Sequence, residues 1–184
     1  MPQYCNYKTS TNLVHLGETL AVSLCDESRQ FRQFVTMNSN APTTPTAMRK
    51  ALQTWYNQLN NKTYRDWKNR PQDGRWQGWA FLEGFEGESE EKTTLHWHML
   101  IGPGPALEPE RYADMMTPRP GAEHSVSASH MMHIWKKLYP RGSTEVRFIT
   151  ELPVAVEYAT KGLRRRGPHL NRNHEEYTTL PYFS

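Results

Sequence analysis

The chain has 184 residues, a formal net charge of +3, 22 % charged side chains and 36 % apolar ones. That length suits one well-cored domain and is short for two, and no apolar run reaches the length of a bilayer span, so a membrane role is not expected. The opening MPQYCNYKTS lacks the apolar core of a signal peptide. Cys5 and Cys25 have no metal spacing and are too few for a disulfide framework, so the expected setting is a reducing cytoplasm.

A polar arm runs to about residue 17, and the loose alternation of Thr19 to Leu24 predicts a first strand. Phe31 to Asn38, closed by NSNAP, predicts a second. Thr44 and Pro45 then offer an N-cap and a first-turn proline, and Met48, Leu52, Trp55 and Leu59 recur at helical spacing, so an amphipathic helix runs to about Asn60. The connector YRDWKNRPQDG reads as a short helix or a loop. Arg75 to Glu86 is rich in aromatics and predicts a strand, and the acidic turn GESEEK joins it to LHWHMLI, Leu95 to Ile101, as an antiparallel hairpin. A helical turn is expected at Pro109 to Met116. Met131, Ile134, Trp135 and Leu138 then mark a second amphipathic helix, with His130 and His133 on its opposite face; as a pair these could bind a metal, but with no acid or cysteine at ligand spacing a solvated surface is expected. Thr144 to Thr150 predicts a strand, Pro153 opens a last helix through VAVEYATKGLRRR, and a polar tail follows.

The order strand, helix, strand, strand, helix, strand is the split pattern of ferredoxin-like folds. The expected class is therefore α+β: one domain over residues 1–184, with its core at about 19–166. A mostly antiparallel five-stranded sheet is expected, with the LHWHMLI strand central, the two amphipathic helices on one face and a tyrosine-bearing helix at the C-terminal end.

In a strand, alternate side chains share a face, so His96 and His98 point one way while Leu95, Trp97, Met99 and Ile101 point the other. Two imidazoles on a rigid, apolar-backed strand are what a divalent metal site requires of its scaffold. A third ligand is best sought on the hairpin partner. Glu83 and Glu86 lie there on opposite faces, and register decides between them. Glu83, inside the strand proper, is favoured over Glu86, which borders a solvated turn. On ligand preference such a site suits manganese, zinc or cobalt better than magnesium. On the last helix, Tyr158 and Lys161 are i and i+3 neighbours on the side opposite Leu152, Val156 and Ala159, so the ammonium stands ready to neutralise a phosphate approaching the phenol. Basic residues gather toward the C-terminal third, including Lys161, Arg164, Arg165 and Arg166, and this arrangement suits a polyanion.

The ordered set FVTMNSN (Phe34 to Asn40), LHWHML and VAVEYATKGL resembles the three motifs of the HUH endonucleases of the rolling-circle replication initiator (Rep) class. The resemblance spans about Phe31 to Gly162. It implies a ferredoxin-like central sheet and a single catalytic tyrosine, Tyr158, that attacks single-stranded DNA. Lys161 would orient the phosphate, and a divalent ion, manganese or magnesium, would be held by His96, His98 and Glu83. It further implies nicking at an origin hairpin through a 5′-phosphotyrosine, priming rolling-circle replication with a host helicase, because no GxxxxGK[ST] loop occurs in this chain. DNA contacts are expected from Arg164, Arg165 and Arg166 on phosphates and from Trp67 and Trp76 beneath unpaired bases. In relaxases of the same superfamily the tyrosines precede the histidines, which would point to Tyr4 and Tyr7; the third-motif YATK favours Rep. The alternatives are a tyrosine transposase of the superfamily and a non-catalytic nucleic-acid-binding module on a similar sheet.

Overall fold

The computed structural model describes residues 19–25, 31–64, 66–84, 95–104, 107–161 and 176–180. Five strands form one antiparallel sheet: β1 (Gln33–Asn38), β2 (Gln77–Glu83), β3 (His96–Gly102), β4 (Ser143–Phe148) and β5 (Glu176–Leu180), in the order β4-β1-β3-β2-β5. The class is α+β, and β3 is the central strand. The five strands are not the five expected. Thr19 to Leu24 is not a strand, because residues 19–24 form a helical turn, α1, and the fifth strand comes instead from the C-terminal tail. The reason lies in α1's own spacing. Leu20 and Leu24, four apart, are both buried, whereas Val22 and Ser23 between them are exposed, so the apolar period is helical.

One face of the sheet carries the larger core. Helix α2 (Pro45–Thr63) begins where Thr44 Oγ1 accepts from the Ala47 amide at 3.2 Å and Pro45 occupies the first turn. It buries Met48, Leu52, Trp55, Tyr56 and Leu59. After the short helix α3 (Pro109–Met116), α4 (Val126–Leu138) is capped by Ser125, whose Oγ accepts from the Ala128 amide at 3.2 Å. Met131, Ile134 and Trp135 of α4 join α2 over Val35, Met37, Ala80, Leu82, Trp97, Met99 and Ile101 of the sheet.

Indole hydrogen bonds tie these layers together. Trp97 donates to the Met48 carbonyl at 3.2 Å, Trp55 to that of Met131 at 3.0 Å, and Trp135 to that of Asn38 at 2.9 Å. A buried indole N–H costs free energy unless paired, so these bonds let large rings fill the core without that penalty. The connector after α2 forms two 3₁₀ turns, Trp67–Asn69 and Gln72–Gly74. Gly78 permits close approach within the β2–β3 pair, since a Cβ there would collide with the Leu100 carbonyl oxygen.

The opposite sheet face bears a smaller cluster. Helix α5 (Leu152–Ala159) packs Val156 and Ala159 against Phe81 and Leu100, together with Leu20 and Leu24 of α1. The histidines of β3 lie on this face, under α5 rather than under α2 and α4. Among the described residues, Cys25 is a free thiol, and no helix is long and apolar enough to cross a membrane.

Candidate metal centre

Register decides the choice of carboxylate. In the β2–β3 pair Glu83 stands opposite His96 and Phe81 opposite His98, and opposed residues share a face. Glu83, His96 and His98 therefore converge, and their donor atoms all lie within 4.8 Å of one another. Glu83 Oε2 is 3.3 Å from His96 Nε2 and 3.5 Å from His98 Nε2. The competing Glu86 lies outside the described residues.

Neighbouring strands complete the surroundings. Thr36 of β1 is opposite His98, and its hydroxyl is 3.1 Å from His98 Nδ1. In the tautomer whose Nδ1–H donates to Thr36, Nε2 presents a lone pair toward the Glu83 carboxylate. Two acceptors then face each other at 3.5 Å in a buried setting, where His98 is only 2 % exposed and Glu83 8 %. His98 Nε2 and Glu83 Oε1 are both buried without a hydrogen-bond partner. Such an arrangement is unfavourable by itself and is relieved by a cation between the groups. The mixed nitrogen and oxygen donor set thus fits a divalent metal ion, which this trio could hold.

In the other tautomer the His98 Nε2–H points at Glu83 instead, and the titration of both groups reflects that contact. Burial pushes the Glu83 carboxyl up, but the close imidazoles of His96 and His98 and the Lys161 ammonium outweigh it and hold the group down at about 2. Glu83 is therefore a carboxylate at neutral pH. Burial is also the largest influence on His98. With help from His96 and Lys161 and against the pull of Glu83, it keeps the imidazole below its ordinary value and so neutral, the form that ligates a metal.

Helix α5 brings the remaining candidates to the same place. The Tyr158 ring meets the His98 ring edge-on at 5.1 Å between centroids, and Phe34 contacts both, stacking on His98 and meeting Tyr158 edge-on, each at 5.6 Å. Tyr158 is half-exposed. Lys161 follows the helix and places Nζ 3.4 Å from Glu83 Oε2 and 3.9 Å from the Tyr158 ring centroid. Its ammonium thus occupies part of the space that a metal cation would claim.

Other expected positions fall elsewhere. Trp76 is fully buried, its indole N–H donating to Thr63 Oγ1 at 2.8 Å, so it presents no face to a base; it is a core residue, contrary to expectation. Trp67 is half-buried against the larger core, with the Arg75 guanidinium 5.5 Å from its ring. Arg164, Arg165 and Arg166, and the rival Tyr4 and Tyr7, lie outside the described residues. His130 is not fully solvated as expected: its Nδ1 is buried without a hydrogen bond, and burial lowers its pKa. Neither it nor His133 meets a third donor among the described residues.

Two contributors escaped the sequence reading, Thr36 behind His98 and Phe34 beside Tyr158. Their signal was the alternation of FVTMN, which puts Phe34 and Thr36 on the face opposite Val35 and Met37. No protein-family model, curated protein or solved structure matches this chain.

Proposed function

We propose that this protein is a metal-dependent, site-specific single-strand DNA nickase and strand transferase of the HUH type, which opens a replication origin for rolling-circle replication. The observation that carries the reading is the seating of α5 across the metal-ligand face. It puts a half-exposed tyrosine 5.1 Å, ring to ring, from a histidine of the candidate metal trio, with a lysine 3.4 Å from the carboxylate. The sheet order β4-β1-β3-β2, with α2 and α4 together on the other face, supports a ferredoxin-like core extended by β5.

His96, His98 and Glu83 would hold the ion, and on ligand preference manganese, zinc or cobalt suits the set better than magnesium. Once bound, it supplies Lewis-acid polarisation of a phosphate oxygen. The chain does the rest. Tyr158 Oη attacks phosphorus in line, an O–P bond forms to the tyrosine, and the bond to the 3′ oxygen breaks with its electron pair. The phenolic proton passes to solvent, and the departing oxygen takes one up as a free 3′-OH. The 5′-phosphotyrosine conserves the bond for rejoining. Lys161 offers its charge to the phosphate entering beside Tyr158.

The test uses a pool of random single-stranded 40-mers carrying fluorescein at the 3′ end, mixed with the protein and manganese. The expected product is a denaturant-resistant fluorescent adduct that is absent in Tyr158→Phe and absent with chelator. An adduct that persists in Tyr158→Phe would rule out this nucleophile; one that forms fully in chelator would rule out the metal's role.

A further inference from the structure

Next to Tyr158, between the edge strand β4 and α5, lies a half-open cavity of about 370 Å³. Phe34 of β1, Ile149 after β4, and Val154 and Tyr158 of α5 give it apolar walls, while Glu145 and Arg147 of β4 give it a polar one. Among the described residues, the large apolar side chains that stand exposed are Val22, Phe148, Val154 and Tyr158, and the last three all line this cavity. Apolar exposure concentrated at one place marks a binding surface. Glu145 Oε1 accepts from Arg147 Nε at 2.7 Å, which fixes a carboxylate and a guanidinium side by side on the wall.

A ligand for this cavity needs an apolar body, hydrogen-bonding edges and an attached negative charge within reach of Arg147. An unpaired nucleobase on its sugar-phosphate chain has all three. The cavity is also continuous with the candidate nucleophile, because Tyr158 is one of its walls.

We infer that this cavity holds one unpaired nucleobase of the single-stranded DNA whose phosphate is presented to Tyr158. Phe34, Ile149 and Val154 pack against the base, and Arg147 meets an adjoining phosphate. The inference rests on the nickase reading and adds the subsite that positions its substrate. Seating a base here restrains the neighbouring phosphate near Tyr158 Oη, and this restraint converts a chance encounter into an oriented one.

The probe is a pool of random single-stranded 20-mers with 3′ fluorescein, titrated by anisotropy in chelator so that binding is read without metal. Val154→Glu puts a carboxylate into the cavity from an exposed helical position and is expected to weaken binding at least about tenfold, the order of one base contact. Val22→Glu adds the same charge outside the cavity and is expected to bind as wild type. Arg147→Ala, on an edge strand, is expected to weaken binding and lower the salt slope by about one. Equal affinity of Val154→Glu and wild type, equal losses in Val154→Glu and Val22→Glu, or no binding by wild type would each overturn the inference. Adduct formation with manganese is scored in parallel. Adduct formation alongside unchanged binding by Val154→Glu rejects the base site alone; no adduct, with binding lost selectively in Val154→Glu, upholds the base site and rejects the nickase.

Discussion

Glu83 lies directly opposite His96 across the antiparallel β2–β3 pair, and its Oε2 comes within 3.3 Å of His96 Nε2. A slip of one residue in that pairing would turn the carboxylate to the apolar face, among Trp97 and Met99, and dismantle the trio. The site is thus held by sheet register and by the apolar core behind it.

Thr36 sits behind His98 and orients its ring. Thr36→Val keeps the shape of the side chain and removes the hydroxyl that faces Nδ1 at 3.1 Å. Manganese affinity, read by calorimetry, is expected to fall about 10- to 100-fold, the usual effect of losing a partner that orients a ligating histidine. Unchanged affinity would show that packing against Phe34 orients the ring instead.

Lys161 stands where it would compete with a bound metal ion for Glu83. With the ammonium 3.4 Å from Oε2, removing its charge in Lys161→Met is expected to tighten manganese binding. The same variant is expected to slow nicking about 10²- to 10³-fold through loss of charge stabilisation at the phosphate. Opposite signs in the two assays distinguish this role from a structural one.

Acid sensitivity follows from the two shifted groups. Glu83, ordinarily near 4.5, is held at about 2 in the folded protein, so its stabilising contribution is complete above about 4.5 and is lost as pH falls from there toward 2. His98 is depressed below its ordinary 6.5, so the unfolded chain binds its proton first and stability declines as pH drops below about 6.5. Urea unfolding of the metal-free protein across this range is expected to show both declines. Glu83→Gln is expected to remove the Glu83 component of the lower one.

Trp97 backs the histidine strand, 1 % exposed, with its indole N–H on the Met48 carbonyl. Trp97→Ala is expected to cost about 3–5 kcal/mol in denaturant unfolding, from the lost transfer energy and the cavity left behind. A loss below about 1 kcal/mol would mean that α2 closes down onto the sheet.

Local sequence determined much of this protein. The helical spacing from Met48 to Leu59 and from Met131 to Leu138, the caps at Thr44 and the alternation in LHWHMLI each depend on contacts a few residues apart, and the corresponding helices and central strand form as read. The same locality made Thr19 to Leu24 ambiguous, since six residues support either period, and burial of Leu20 and Leu24 decided for helix. Trp76 and Trp67 show a related limit. An aromatic between polar neighbours can face outward or fill a core, and only the packing against Thr63 and its surroundings assigned Trp76 to the interior. The two histidines and a nearby carboxylate were legible as ligand types. Tertiary structure alone decided that Glu83 meets His96, that Thr36 stands behind His98, and that Tyr158 and Lys161 come from 60 residues away to the same face. Those facts depend on strand register and helix docking, which arise from the whole apolar core closing at once rather than from any one segment.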